Sequence, residues 1–210
     1  MGDLFAMQCT ECLLDKHIRQ ALKRTLREQD STAAIIDEMP LLRGRGRADL
    51  AFVNGKLCGY EIKSEADSLI RLGMQTENYE AVFELNTIVA AKKHLSLARR
   101  RIPQTWGIIE AKMVNGQIQL HEHRRARPNH KLCNSALTRL LWKEECLLIL
   151  RKNAIPVRPN ASVLEIWNRV EAMDTEYLCE EVRAALKRRQ ERVAGRQIQG
   201  DGSRTIGAIG

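Results

Sequence analysis

Apolar residues recur at helical spacing near the start of the chain, alternate with polar residues over 31–63, and return to helical spacing after residue 134. The first pattern, in which Ile18, Leu22 and Leu26 share one face, predicts a helix over about 11–28. Strands are predicted over 31–37, 48–53 and 56–63. Asn54-Gly55 predicts a tight hairpin between the last two strands, because a type I′ turn needs positive φ at both central residues.

The middle of the chain continues the same order of elements. It predicts a helix from residue 64 or 66 to 83, a buried strand over 87–91, and a second hairpin over 106–113 and 117–121. Helix, three strands, helix, strand and hairpin together predict an α/β (α+β) fold with a mixed sheet.

The region after residue 134 is predicted to be helical. Ser162 and Glu165 have the spacing of a capping box, which places a helix start there. Helices are expected from residue 134 or 135 to 152, over 162–170 and over 174–192. We therefore expect a core over 1–128, a helical region over 134–194, and a flexible tail over 195–210, where apolar residues are too few to fold.

Composition adds a preference for polyanions. Lys and Arg number 34 against 26 Asp and Glu, which gives a net charge of +8 over 210 residues and favours nucleic acid or an acidic surface as a partner. The sequence contains neither a bilayer-spanning apolar stretch nor the layout of a signal peptide. We expect a soluble, cytoplasmic protein that does not bind membranes.

Candidate chemistry is concentrated at the predicted hairpin. Glu61 and Lys63 lie two apart on one strand, so both side chains project from the same face. The hairpin carries Asp49 back toward them, and two adjacent carboxylates suit Mg²⁺ or Mn²⁺. The alternative is that Glu61 and Lys63 form an ion pair on an exposed strand. Their apolar neighbours favour a site, because an uncompensated buried charge is costly.

These three residues resemble the D…(D/E)-x-K signature of the PD-(D/E)XK, or restriction-endonuclease-like, nuclease superfamily, although Ala48 stands where that family often has Pro. The likeness spans roughly residues 10–190 and is closest to a poorly characterised bacterial branch. It rests on Ile36-Asp37-Glu38, Gly46-Arg47-Ala48-Asp49-Leu50, Gly59-Tyr60-Glu61-Ile62-Lys63-Ser64, Asp67, Leu69, Arg71-Leu72, Gln75, Tyr79, Trp106-Gly107 and Leu141-Trp142.

The resemblance implies roles for the site residues. Asp49 and Glu61 would be metal ligands, and Lys63 the catalytic lysine, on a restriction-endonuclease-like core. Such nucleases often carry a further acid upstream. We expect Glu38 to be that ligand, with Asp15 and Glu11 as competitors.

A polar stripe follows the candidate site. Asp67, Arg71, Gln75 and Tyr79 recur every four residues on the second predicted helix. By resemblance, Gln75 would join the catalytic residues, while Arg71 could clamp a phosphate. The alternative for Asp67 and Arg71 is a salt-bridged exposed face.

Basic residues near the site indicate how nucleic acid could be held. Arg43, Arg45 and Arg47 alternate with glycines that permit close backbone approach, so this loop is predicted to bind DNA. The helical region is similar to SAP-like helix–extended loop–helix motifs. It could bind DNA, dock a protein partner, or only support the core.

The leading expectation is therefore a Mg²⁺- or Mn²⁺-dependent deoxyribonuclease in DNA repair, mobile-element biology or phage defence. The alternative is a protein of nuclease-like fold that binds DNA, or serves as an adaptor, without cutting. An RNA substrate stays open, because a phosphodiester site does not by itself read the 2′-hydroxyl. A homodimer is plausible for cutting both strands.

Overall fold

Seven helices and a six-stranded sheet make up residues 13–201, the part of the chain that the structure, a computed structural model, describes; side chains are described for residues 13–193. The helices are α1 (Asp15–Gln29), α2 (Leu72–Glu80), α3 (Lys92–Arg101), α4 (Asn134–Thr138), α5 (Lys143–Lys152), α6 (Val163–Glu171) and α7 (Thr175–Asp201). The strands are β1 (Ala34–Leu41), β2 (Gly46–Val53), β3 (Leu57–Lys63), β4 (Leu85–Ala91), β5 (Gly107–Val114) and β6 (Gln117–Arg124).

The strands lie in the sheet in the same order as in the sequence. The pairs β1–β2, β2–β3 and β5–β6 are antiparallel, whereas β3–β4 and β4–β5 are parallel. Helices α2 and α3 provide the crossovers that parallel neighbours require. The predicted mixed α/β class is confirmed, but the more specific restriction-endonuclease-like core is not.

Alternation along β3 separates an apolar face from a charged one. Cys58, Tyr60 and Ile62 pack with α1 in one apolar cluster, and Leu57 joins the larger cluster on the other side of the sheet. Glu61 and Lys63 project from that second side, toward α2. The predicted common face of these two residues is confirmed.

The two predicted hairpins use different turns. Asn115 and Gly116 both have positive φ, 50° and 74°, between the paired residues Val114 and Gln117, as a type I′ turn requires. The first hairpin is also present, but its loop has three residues, because Val53 pairs with Leu57. Only Gly55 has positive φ there, so the type I′ expectation for Asn54-Gly55 is wrong.

Some predicted helix bounds are wrong. Helix α2 begins at Leu72 instead of residue 64 or 66, because Asp67 accepts hydrogen bonds from the backbone N–H and the hydroxyl of Ser64 and holds a turn there. Helix α3 lies in a stretch for which no element is predicted from the sequence, and its only buried residues are His94 and Ala98. The predicted start of the first helix at residue 11 lies outside the described residues.

The C-terminal region is helical as predicted, with two differences. A break at Trp142 divides the helix expected up to residue 152 into α4 and α5, and α7 continues to Asp201, past the predicted end at 192. The Ser162 cap is confirmed, since its hydroxyl accepts a hydrogen bond from the backbone N–H of Glu165 at 3.1 Å. Residues 202–210 of the expected tail lie outside the described residues.

The C-terminal helices share an apolar core with the sheet. Leu137, Ile149 and Val182 belong to the same buried cluster as Ile88 and Trp106. The division into a core and a helical region stays a prediction. Within residues 13–201, none of the helices has the length and apolar character needed to cross a membrane.

Candidate functional site

A buried ion pair stands at the carboxyl end of β3. Lys63 Nζ lies 2.7 Å from Glu61 Oε1, and the residues are 6% and 0% exposed. Gln75 on α2 bridges them, because its amide oxygen accepts from Lys63 at 3.0 Å and its amide nitrogen donates to Glu61. Glu61 and Lys63 therefore do form the ion pair of the alternative interpretation, but the pair is buried and not on an exposed strand.

Glu61 retains one uncommitted oxygen. Its Oε2 is buried and has no hydrogen-bond partner among the described residues. Leaving a buried charged oxygen unpaired is costly in free energy. The arrangement can therefore accept a further cation or donor.

Asp49 reaches the same place from β2. Its Oδ2 accepts a hydrogen bond from the backbone N–H of Ile62 at 2.7 Å, and its own N–H donates to the Tyr79 hydroxyl at 3.0 Å. Burial, and then the nearby charge of Glu61, raises the pKa of Asp49 from 3.8 to about 7. The carboxyl group is therefore poised to lose its proton near neutrality when a cation approaches.

Arg19 on α1 is a site residue that the sequence did not reveal. Its guanidinium pairs with Asp15 at 3.1 Å and with Glu38 at 2.8 Å, lies 3.8 Å from Asp49 Oδ1, and donates to the Asp49 carbonyl. Burial alone would lower the Arg19 pKa, but the hydrogen bond and charge of Asp15, with Asp49 and Glu38, raise it. Arg19 therefore stays charged and neutralises this group of acids.

The candidate upstream acid is already engaged. Glu38 has φ of 51° and stands across from Asp49, since its neighbours Asp37 and Met39 pair with Leu50 and Ala48. Its carboxylate pairs with both Arg19 and Arg47. Its metal role stays a prediction. The competitor Asp15 also lines the site, and Glu11 lies outside the described residues.

The arginines of the loop before β2 divide into two groups. All three are exposed, but Arg45 and Arg47 line the site, whereas Arg43 stacks on Trp167 of α6 with its guanidinium 3.9 Å from the ring centre. Gly46 is required by close packing, since a Cβ there would lie 2.6 Å from Asn78 Nδ2. At Gly46 the close approach is therefore to protein, whereas the space around Gly44 is open, and DNA binding by this loop stays a prediction.

The predicted stripe on the second helix does face the site. Asp67, Arg71, Gln75 and Tyr79 all line a pocket of about 590 Å³ that also contains Asp49, Glu61 and Lys63. Asp67 contacts Ser64, and no salt bridge joins it to Arg71 within residues 13–193.

The donor set suits a hard, mostly hydrated cation. Within the described residues no group of three or more His, Cys, Asp or Glu is disposed to hold a metal, so a cation here would have at most two such ligands, and Asp49 and Glu61 both line the pocket. Mg²⁺ commonly binds through one or two carboxylates, water and a phosphate. The unpartnered oxygen of Glu61 fits such an ion.

Comparison with known proteins identifies the family. The family model described as "Bacteriophage P4 protein cII" matches residues 10–201. This chain belongs to the bacteriophage P4 cII family. A curated relative, "Protein cII" of Enterobacteria phage P4, is 33% identical over 147 residues, which cover 69% of this chain and 56% of that protein. The matched segment thus spans little more than half the length of the relative.

Membership of the P4 cII family corrects the expectation drawn from the D…E-x-K pattern. The assignment to the PD-(D/E)XK superfamily is wrong, because both the family model and the curated relative are P4 cII proteins. The expected Mg²⁺-dependent deoxyribonuclease is wrong on the same findings, since neither description names an enzyme and nothing in either points to nuclease activity. The geometry around Asp49, Glu61 and Lys63 therefore needs a different explanation.

Proposed function

We propose that this member of the P4 cII family binds DNA at the rim of the pocket, with Mg²⁺ held by Asp49 and Glu61. The observation that carries the proposal is the placement of exposed Arg45, Arg47 and Arg71 around a pocket whose floor has an uncommitted carboxylate oxygen.

Guanidinium groups at a pocket rim suit a phosphate backbone. Arg45 and Arg71 are exposed, and neither forms a salt bridge within residues 13–193. Planar guanidinium forks match phosphate oxygens in paired hydrogen bonds. The chain's net charge of +8 adds long-range attraction to a polyanion.

A bound Mg²⁺ would supply positive charge where the pocket floor is acidic. Lys63 and Arg19 offset part of the charge of Glu61 and Asp49, and a bound Mg²⁺ would turn the floor from near neutral to positive, which favours a phosphate. Proton loss from Asp49, whose pKa lies near 7, would complete the ligand pair. The protein's own contribution is to hold both carboxylates in position through Ile62 N–H and Gln75.

The test is the salt dependence of DNA binding. We expect fluorescence anisotropy with labelled duplex DNA to show affinity that falls with salt and rises with Mg²⁺. In the double variant Arg45→Ala/Arg71→Ala, the slope of log affinity against log salt should fall by about 2, since each lost phosphate contact removes about 0.9.

A matched control is the double variant Arg99→Ala/Arg125→Ala, which removes the same charge from exposed positions that do not line the pocket. It should keep most of the slope. Equal effects of the two double variants, or no DNA binding by the wild-type protein, would contradict the proposal. An RNA duplex of the same sequence shows whether DNA is preferred.

Three further expectations accompany the proposal. A cytoplasmic location agrees with a DNA partner. A homodimer stays a prediction that sedimentation of the protein alone and with DNA would test, and a protein partner at the C-terminal helices also stays a prediction.

A further inference from the structure

Two exposed apolar side chains flank an arginine at the edge of the pocket. Ile70 is 86% exposed and Met74 56% exposed, and Arg71 lies between them in sequence. Met74 and Arg71 both line the pocket. Single exposed apolar residues are ordinary, whereas groups of them mark interaction surfaces; here two stand four positions apart, and one of them lines the pocket.

The segment that presents Ile70 is held firmly by its neighbours. Leu69 is buried at 4% exposure, and its carbonyl accepts hydrogen bonds from Arg101 Nη1 at 2.8 Å and from Leu72 N–H at 3.2 Å. The Ile70 N–H donates to Ser68 Oγ at 3.2 Å. Ile70 is thus a rigidly supported apolar side chain that points into solvent.

The start of the segment is anchored on a second element. The Ser64 carbonyl lies 3.0 Å from His94 Nε2 of α3, and Asp67 Oδ2 accepts from Ser64 N–H at 2.7 Å. Because β3, α3 and the turn are joined in this way, Ile70 keeps its position relative to Lys63 and the pocket floor.

We propose that Ile70 and Met74 form an apolar wedge that inserts between stacked bases of the DNA held at the pocket. This inference rests on the proposed function. Proteins that bind the minor groove combine arginines with apolar wedges that partly unstack a base step and kink the duplex. Arg71 would supply the charge complementarity, since it follows Ile70 in the chain, is exposed and lines the pocket together with Met74.

The wedge predicts a signal that phosphate binding alone does not produce. The probe is an alternating A·T duplex with 2-aminopurine at several adenine positions, because pyrimidine–purine steps unstack easily. We expect the wild-type protein to raise 2-aminopurine fluorescence about two-fold or more, and Ile70→Ala/Met74→Ala to abolish the rise and weaken binding about tenfold.

Two further variants keep the test specific. Ile70→Phe retains an apolar wedge and should retain the fluorescence rise. Leu164→Ala removes an apolar side chain that is 58% exposed on α6, away from the pocket, and should leave both measurements at wild-type values. Circular dichroism on each variant verifies folding, which these exposed positions should not affect.

The outcomes separate the wedge from DNA binding itself. If Arg45→Ala/Arg71→Ala lowers the salt slope while Ile70→Ala/Met74→Ala leaves affinity and fluorescence unchanged, the wedge is wrong and the proposed function stands. That result would also be expected if the apolar pair docked a protein. If no variant and no wild-type protein binds DNA, the proposed function itself fails.

Discussion

Two buried glutamates stand at opposite ends of the parallel strands β3 and β4, and their surroundings differ. Glu84 directly precedes β4, and both of its carboxylate oxygens have partners. Its Oε1 pairs with Lys56 at 3.0 Å. Its Oε2 accepts hydrogen bonds from Leu57 N–H at 2.8 Å and from Arg183 at 2.6 Å. Glu61, at the carboxyl end of β3, has Lys63 and Gln75 on Oε1 and no partner in the described residues on Oε2.

The difference separates a structural carboxylate from one with capacity for a ligand. Glu84 joins α7 to the sheet through Arg183, and both side chains are mostly buried, at 10% and 15% exposure. Glu61 is fully buried, yet it leaves an oxygen beside an open pocket. Ligands of open α/β sheets generally bind outside the carboxyl ends of the strands, which is the end that holds Glu61.

The largest effect on stability is expected at Glu84. Glu84→Gln keeps the shape but replaces an acceptor by an amide group next to Arg183 and Lys56, so a buried guanidinium loses its partner. We expect the free energy of unfolding to fall by about 2–4 kcal/mol, and Tm by about 5–15 °C. Urea titration and calorimetry measure both quantities.

The matched control for Glu84 is Glu122→Gln. Its carboxylate pairs with Arg125 at 3.5 Å, where the side chains are 47% and 91% exposed. Exposed pairs contribute less than about 1 kcal/mol, so this variant should unfold close to the wild-type midpoint. Equal losses in the two variants would mean that Glu84 has no special structural role.

Local geometry at the site could be predicted from the sequence. Strand alternation places Glu61 and Lys63 on one face, and helical spacing brings Gln75 to the same pocket, as the structure has them. Both inferences use residues within one or two neighbouring elements. The family could not be inferred from such local patterns. A hairpin followed by Glu-x-Lys can arise in unrelated proteins, because it depends only on local geometry.

Long-range partners were not predictable. Arg19 contacts Asp49 across 30 positions, and Arg183 contacts Glu84 across 99. In the sequence, Arg19 is one basic residue on a polar helix face, and Arg43 looks as free as Arg45. Only the tertiary structure shows that Arg19 of α1 neutralises acids at the site and that Arg43 stacks on Trp167 of α6.

The second prediction concerns pH and Asp49 in metal-free buffer. Burial raises the pKa of Asp49 from 3.8 to about 7, so the folded protein binds this proton more tightly than the unfolded chain does. This group therefore makes the free energy of unfolding fall as pH rises between those two values, and level off above them. Asp49→Asn removes the effect while its amide oxygen can still accept from Ile62 N–H.

We expect Asp49→Asn to gain about 1–3 kcal/mol over the wild-type protein between pH 5 and pH 8, measured by urea titration with a chelator present. Glu122→Gln, at an exposed position, controls for general charge effects. Parallel curves of unfolding free energy against pH for the wild-type protein and Asp49→Asn would show that Asp49 has an ordinary pKa. Asp49 would then be ionised at neutral pH before any cation binds.

The smallest expected effect is a shift in Tm on adding Mg²⁺, which should depend on Glu61 and not on Glu84. A cation that binds only the folded protein stabilises it by about 1.4 kcal/mol at ten times its dissociation constant, which is about 3–6 °C in Tm here. Mg²⁺ at pH 8 should therefore raise the Tm of the wild-type protein, and Glu61→Gln should abolish that rise. Glu84→Gln should keep it, although its Tm starts lower.

The measurement is calorimetry at constant ionic strength, with Mg²⁺ replaced by K⁺ in the reference scan, because general screening acts on all variants alike. A Mg²⁺ shift that survives in Glu61→Gln would mean that the ion binds elsewhere. A shift lost equally in Glu84→Gln would mean that it depends on the global fold. Only loss at Glu61 with retention at Glu84 agrees with one carboxylate that supports the fold and another whose free oxygen, beside the pocket arginines, receives a ligand.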